Sequence, residues 1–436
     1  WEKTFKKVST PFEHFIHAET TTGIILMIST ILALILANTP LTEAYTHFFH
    51  TDVSVTFGDW SLSHTVHHWI NDGLMAFFFF IIGLEIKREI LVGELANIKV
   101  AILPVLAAIG GMVFPALIYF YINQNGVGAS GWGIPMATDI AFAISALVLL
   151  GKRVPATLVT FLVALAIVDD LGAVVVIAIF YTDQIHVMFL ALAGISFLIM
   201  VAFNRFGIHE VTPYFIMGIV MWFFMLESGV HATIAGVIAA MAIPSKPKRT
   251  PIGFVEKTKD LLNAYDQYPV CENHLLHERQ KAILINIQDR IKEIKTPAAR
   301  LEHGMHLPVA LIVIPLFALA NAGIAIDFGS ISNVIIEPVT IGVIVGLVLG
   351  KVLGIFGVSY LAIKLKVAQL PHNSNMSQIF GVAFLGGIGF TMSIFVAELA
   401  FVDNPEILFQ AKIGILLASL FAGLFGFLWL RFVANK

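Results

Sequence analysis

Apolar runs of roughly 20 residues recur along almost the whole chain, the length at which a helix crosses the hydrocarbon of a bilayer. In lipid the backbone must satisfy its own hydrogen bonds, which leaves α-helices or closed barrels, and runs without strict alternation select helices. With 58% of its 436 residues hydrophobic and only 13% charged, the chain has too little polar surface for a soluble globule of this size. The expected fold class is therefore an all-α integral membrane protein.

Reading the runs between polar or Gly/Pro punctuation predicts twelve transmembrane helices, near 14–38, 67–86, 100–122, 131–150, 156–181, 186–204, 211–227, 229–244, 307–324, 339–362, 378–401 and 409–432. The first run, Gly23 to Asn38, ends in "NTPLTEAY" without the small-residue pattern of a cleavage site, so it is expected to be retained, with residues ahead of Trp1 missing. Lysine and arginine give an independent check. Lys3, Lys6, Lys7, Lys87, Arg88, Lys99, Lys152, Arg153, Arg205, the 245–306 segment, Lys364, Lys366, Arg431 and Lys436 all fall on one side, whereas loops 39–66, 123–130, 182–185, 325–337 and 402–407 carry none. Positive charge accumulates inside, so both termini are expected in the cytoplasm.

The chain thus divides into 1–244 with spans 1–8, a long cytoplasmic connection over 245–306, and 307–436 with spans 9–12. "DVSVTFGDWSLS", at about 52–63, alternates around Gly58-Asp59 and predicts an outward β-hairpin whose free edges could join a second subunit. In the connection, Ile283, Ile287, Ile291 and Ile294 form a helical stripe beside Lys281, Arg290, Lys292 and Lys295, expected to lie on the membrane or on the bundle. A net charge of −3, dispersed along the chain, offers nothing to nucleic acid, and the sole cysteine, Cys271, excludes an internal disulfide framework.

Against this background the intramembrane charges stand out. "ALAIVDDLGAVVVIAIFY" places Asp169 and Asp170 mid-span, Lys351 sits in "GLVLGKVLGIFG", and Asp139 follows "GWGIPMAT". Each costs about 2.5 to 3.5 kcal/mol at a bilayer centre, roughly 10 kcal/mol together, so such residues line water or pair with one another. A salt bridge that merely ties helices would account for Lys351 with one carboxylate but not for three. Lys412, near the outer end of span twelve, is expected to snorkel.

Consecutive helical residues point about 100° apart, yet both aspartates can border one cavity, where repulsion and desolvation oppose ionising both at once. Carboxylate oxygens also suit small hard cations. The pair can hold protons or a monovalent cation such as Na+, and hardly both, which is the chemistry of exchange. Two protons leave the pair neutral; one Na+ leaves it at −1. Trading two protons for one Na+ moves one net charge, worth about 2.3 kcal/mol per 100 mV.

Gly131, Gly133 and Pro135 weaken span four, and "FLGGIGFTMSIF" interrupts span eleven in a similar way. Aligned, Gly133-Ile134-Pro135 falls on Gly387-Ile388-Gly389 and Asp139 on Ser393. These spans are the middle members of triplets 3–5 and 10–12, which start on opposite sides, as two inverted three-helix repeats with broken, crossing helices 4 and 11 require. Half-helix N-termini would attract Asp139 and C-termini Lys351. Gly342, Gly346, Gly350 and Gly354 give span ten a smooth face for close contact.

"WINDGLMAFFFFIIGLEIKREILVGEL", "GIPMATDIAFA", "AIVDDLGAVVVIAIFY", "SGVHATIAG", "RLEH", "PLFALANAG", "LGKVLGIF" and "GIGFTMSIF" together resemble the NhaA-type sodium/proton antiporters, collinearly from about Ala18 to Phe432. The resemblance implies a transporter rather than an enzyme, in the bacterial inner membrane, expelling Na+ or Li+ and importing H+, with roles in pH homeostasis and salt tolerance. It also implies a homodimer held partly by the hairpin. On this likeness Asp170 is the principal cation ligand and Asp169 its proton-exchanging neighbour, able to pair with Lys351, while Asp139 and Thr138 are the polar residues of the span-four break. Glu85, Lys87, Glu89, Glu302, His303 and His306 match a pH-responsive cytoplasmic entrance, and His231 a histidine of the pH response. Two departures stand: the 245–306 segment is longer than in the shorter family members, and Val352 stands where proline is common.

Weaker signals remain. Cys271, His274 and His277 have zinc-like spacing without a second ligand pair, and His64, His67 and His68 read as an interfacial cluster beside Trp69. No cofactor motif and no nucleophile with a base is visible. The rivals to sodium(lithium)/proton antiport are a sodium-coupled organic-anion symporter on a related fold and a membrane-embedded enzyme.

Overall fold

The computed structural model describes residues 19–58, 60–182, 185–248, 252–267, 277–325, 329 and 331–434. Among them the chain is mostly helical, with one two-stranded antiparallel sheet. Among the described residues seven helices are long and apolar enough to cross a membrane, or up to nine if each of two bent pairs counts as one.

Helix α1 (Glu19–Ala37) is followed by α2 (Thr42–His50), which turns 112° away from it. Then comes the hairpin, β1 (Asp52–Phe57) against β2 (Trp60–Thr65), in register from Asp52↔Thr65 to Phe57↔Trp60. Gly58 has φ +61°, a left-handed turn that a residue with a Cβ resists; Asp59 lies outside the described residues. Val53 and Val55 are exposed, so the hairpin presents apolar side chains outward. At its foot the imidazoles of His64 and His68 stack 4.1 Å apart, with Trp69 edge-on to His64.

Helix α3 (Met75–Leu91) runs past the expected end near 86, carrying Glu85, Lys87 and Glu89 on one continuous helix. A side-chain contact that hydropathy does not register supports this extension. Lys87 Nζ donates to Met241 O at 2.7 Å, satisfying a carbonyl at the end of α9 (Ile234–Ala242). Helix α9 is shorter than the predicted 229–244 because Gly229, with φ +81°, and the residues after it form turns.

Between them lie α4 (Ile98–Asn123), α5 (Ile140–Val148), α6 (Ala156–Phe180), α7 (Val187–Arg205) and α8 (Val211–Glu227). A 3₁₀ helix, Val127–Met136, precedes α5, and three extended residues separate the two.

Two helices of the long connection follow, α10 (Phe254–Asp266) and α11 (Glu278–Ile294), which pack on each other. Ile283, Ile287 and Ile294 are half-buried and Ile291 is exposed, so most of the expected stripe is taken up by this pairing. Cys271 and His274 lie outside the described residues; His277 caps α11, its side chain accepting from Arg279 N.

Helix α12 (Pro297–Asn321) starts well before the expected 307, because Thr296 Oγ1 caps it through Ala299 N at 3.1 Å and Pro297 fits its first turn. Last come α13 (Pro338–Lys364), α14 (Met376–Leu385) and α15 (Phe390–Ala400), the last two bent by 46°, then α16 (Pro405–Phe432).

The glycine face of α13 packs against α4. A Cβ on Gly354 would lie 2.1 Å from Gly110 O, and one on Gly110 2.5 Å from Gly354 O, so the two backbones touch. Turns of π helix, Gly346–Gly350 and Val352–Gly357, flank Lys351, so the helix is locally widened there without a proline. Lys412 does not snorkel: its Nζ lies 2.5 Å from Glu398 Oε1, and both side chains are only 14% exposed.

Candidate functional site

Two chain breaks meet at one place. Between the 3₁₀ helix and α5, residues Ala137 to Asp139 are extended; between α14 and α15, Gly386 to Gly389 unwind. The contacts between the breaks are reciprocal. Asp139 N donates to Ile388 O at 2.6 Å, while Ser393 Oγ donates to Ile134 O at 2.8 Å. In the sequence alignment Asp139 corresponds to Ser393 and Ile134 to Ile388, so matched positions meet, one through a backbone N–H and the other through a side-chain hydroxyl.

Breaking a helix strands N–H groups at one end and carbonyls at the other. Asp139 answers the first. Its Oδ1 accepts from Phe142 N at 3.1 Å, capping α5, and its Oδ2 accepts from Thr391 N at 3.0 Å and Thr391 Oγ1 at 2.5 Å, at the start of α15. One carboxylate therefore serves both half-helix N-termini. Thr138 and Lys351 answer the second. Thr138 Oγ1 donates to Gly386 O at 2.8 Å, and Lys351 Nζ donates to Met136 O, the last residue of the 3₁₀ helix.

Lys351 is fully buried, and it also donates to Thr138 Oγ1 at 2.9 Å and to Asp169 Oδ2 at 2.6 Å. The next residue on α6 has no such support. Asp170 is 1% exposed, and neither of its oxygens has a hydrogen-bond partner among the described residues; Asp169 Oδ1 has none either. Three buried oxygens on adjacent carboxylates thus carry no hydrogen bond among the described residues. A buried carboxylate stays there only when protonated, hydrated or bound to a cation. Among the described residues no further carboxylate, histidine or cysteine completes a cluster of three metal-ligating groups, so the pair lacks the closed cage of a resident metal.

A cavity of about 330 Å³ opens beside α5 and α6, and Asp169 and Asp170 are not among the residues that line it. Glu85, Arg88, Glu302 and His306 line it, as do Ile140, next to Asp139, and Ile167, two residues before Asp169. Arg88 ties this mouth together, 2.8 Å from Glu302 and 3.1 Å from Glu89. Glu89 also accepts from Glu94 N at 2.9 Å.

The six residues expected to sense pH do not form one group. Glu85, Glu302 and His306 line the cavity, and Glu89 joins them through Arg88. His303 is exposed and outside it, since i and i+4 on α12 face the cavity and i+1 does not. His231 is elsewhere, its Nε2 on Tyr181 O beyond the end of α6.

Helices α3, α12 and α15 meet over aromatic rings. Phe395 lies 5.5 Å from Phe79 and 6.0 Å from Phe317. Just ahead of α3, in the helical turns over 66–74, and one turn beyond Phe317 on α12 comes a polar layer that sequence reasoning passed over. Asn321 Nδ2 donates to Asn71 Oδ1 at 2.8 Å, and His67 Nε2 meets Asn321 Oδ1 at 2.9 Å. "WIND" and "ALANAG" were legible as motifs, but two neutral asparagines carry no charge penalty to flag them.

The model of the family described as Na+/H+ antiporter 1 matches residues 13–430. A curated relative in Sulfurimonas denitrificans, "Na(+)/H(+) antiporter NhaA", is 67% identical over 436 residues, covering 100% of this chain and 98% of that protein. "Na(+)/H(+) antiporter NhaA 1" of Saccharophagus degradans is 51% identical over 99% of this chain and 93% of its own length. "Na(+)/H(+) antiporter NhaA" of Dichelobacter nodosus is 46% identical over 100% and 94%.

Proposed function

The chain belongs to the Na+/H+ antiporter 1 family, and from that premise we propose that it exchanges Na+ or Li+ for two protons by alternating access at Asp169 and Asp170. It is a multi-pass bacterial membrane transporter carrying sodium and protons. The observation that carries the site reading is Asp170, buried with both oxygens unpartnered among the described residues, beside an Asp169 half-engaged by Lys351.

The cycle follows from competition for these oxygens. From the cytoplasmic cavity a cation reaches Asp170 and the open oxygen of Asp169, and the protons held there leave. Lys351 then competes with the cation for Asp169, so its release from the pair couples cation arrival to proton departure. The second proton comes from Asp169 or from Lys351. Because two protons return for each cation, one net charge crosses per cycle and the membrane potential drives extrusion. Asp139 and Thr138 hold the two breaks together and keep the pair within a rigid frame as access switches. Glu85, Glu89, Glu302, His303 and His306 are the proposed pH-responsive entrance, with His231 acting separately from the outer end of α6. The cavity lined by Glu85, Arg88, Glu302 and His306 supports an inward-open state.

The architecture proposed around this site has twelve spans in two inverted three-helix repeats, with both termini cytoplasmic. The reciprocal bonds Asp139 to Ile388 and Ser393 to Ile134 support the repeat. The divisions 1–244, 245–306 and 307–436 follow the same topology. The exposed hairpin edge is the proposed homodimer contact.

Sealed vesicles with an internal pH dye test the reading. Added Na+ or Li+ should evoke a proton flux in the opposite direction, and Asp170→Asn should abolish it in folded protein. Sodium entry without proton counterflow would instead indicate a symporter, and an undiminished signal in the variant would remove Asp170 from the site.

A further inference from the structure

The helix α11 has two faces, and only one is accounted for. Ile283, Ile287 and Ile294 are half-buried on the side packed with α10, where Ile294 and Phe254 line one groove. The other face collects Leu284, Ile285 and Ile291, which are 41%, 59% and 44% exposed, among Lys281, Lys292 and Lys295, all exposed as well. At 100° per residue these six fall within an arc of about 120°. Glu278 and Asp289 sit at its margin, and Glu278 is already engaged by Lys281 at 2.8 Å.

Large aliphatic residues interleaved with lysine on one open face are costly in water and suit a surface that is apolar beneath and negative above. Such a surface is close by. Lys295 precedes by one residue Thr296, the cap of the membrane-length helix α12, and Ala298 N donates to Pro244 O at 3.2 Å, pinning both ends of the connection together.

We propose that the open face of α11 lies on the anionic phospholipid of the cytoplasmic leaflet, with Leu284, Ile285 and Ile291 at the acyl boundary and the three lysines among the phosphates. This docking rests on the cytoplasmic placement of the connection and not on antiport. The lysines match the negative inner leaflet in charge, and the apolar residues supply what a purely electrostatic contact lacks. The occupant is lipid rather than a second copy of the chain, because two such faces would bring like charges together.

The full chain with Cys271→Ser and an environment-sensitive fluorophore at Ile285→Cys, reconstituted in vesicles, tests this, with Asn286→Cys on the far side of the helix as control. In phosphatidylcholine mixed with phosphatidylglycerol, brominated lipid should quench the probe at 285 several-fold more than at 286. High salt, or Lys281→Gln with Lys292→Gln and Lys295→Gln, should remove most of that difference. Equal quenching at both positions, or quenching at 285 that persists unchanged in pure phosphatidylcholine, overturns the proposal. So does a probe at 285 that is as sheltered in neutral detergent as in anionic vesicles, which would assign the face to protein. A membrane-impermeant quencher reports separately which side the connection occupies.

Discussion

At the scale of residues, what matters is how few groups answer for so many buried charges. Asp139 is spent on two half-helix N-termini and Lys351 on Asp169, Thr138 and Met136, so each is a structural neighbour of the pair whose loss has its own signature. Lys351→Ala leaves Asp169 buried without its cation, a loss of about 3 kcal/mol or more on the scale of broken buried pairs. It should lower the melting temperature in detergent and change the voltage dependence of transport; unchanged melting and voltage dependence together would contradict the pairing role. Asp139→Ala strands the N–H groups of Phe142 and Thr391, and should cost about 1 to 2 kcal/mol, readable as a lower midpoint in the same melting assay. The aspartates and Lys351 were legible in the sequence because charge in hydrocarbon is rare. Glu398, partner of Lys412, was not, since a single acid near a span end looks the same whether solvated or paired.

At the scale of elements, the breaks and the glycine face were readable, and the helix ends were not. Gly133, Pro135, Gly387 and Gly389 marked the interruptions because glycine and proline act on the backbone itself. The starts of α12 and the end of α3 escaped hydropathy because Arg300, Glu302, His306, Lys87 and Glu89 are polar and yet helical, held by caps and ion pairs rather than by lipid. The stripe of Ile283, Ile287 and Ile294 was visible, but periodicity does not say which neighbour covers a face, and α10 proved to be that neighbour. The contact of α4 with α13 gives a sharp test. Gly354→Val drives a side chain into Gly110 O, so overpacking of about 1 to 3 kcal/mol should reduce both folded yield and exchange. Gly357→Ala, with open space around the new methyl, should leave both as they are. Equal behaviour of the two variants in thermal melting and vesicle assays would show that the close approach is unimportant.

At the scale of the whole molecule, a crossing of broken helices stands beside a cavity lined by Glu85 and Glu302, and the hairpin strands pair with each other outside this machinery. The proposed dimer contact predicts that removing residues 54–63 leaves a monomer in a size measurement while Asp170-dependent exchange persists; a dimer that survives the deletion would place the contact elsewhere. The most direct test of the central claim, that protons and an alkali ion contend for Asp169 and Asp170, is the Na+ affinity of the purified protein measured across pH. Competition predicts that the apparent Kd rises as pH falls, by about tenfold per unit for each proton displaced, and that Asp170→Asn abolishes binding at every pH. An affinity that stays constant across pH, with Asp170 intact, would contradict it.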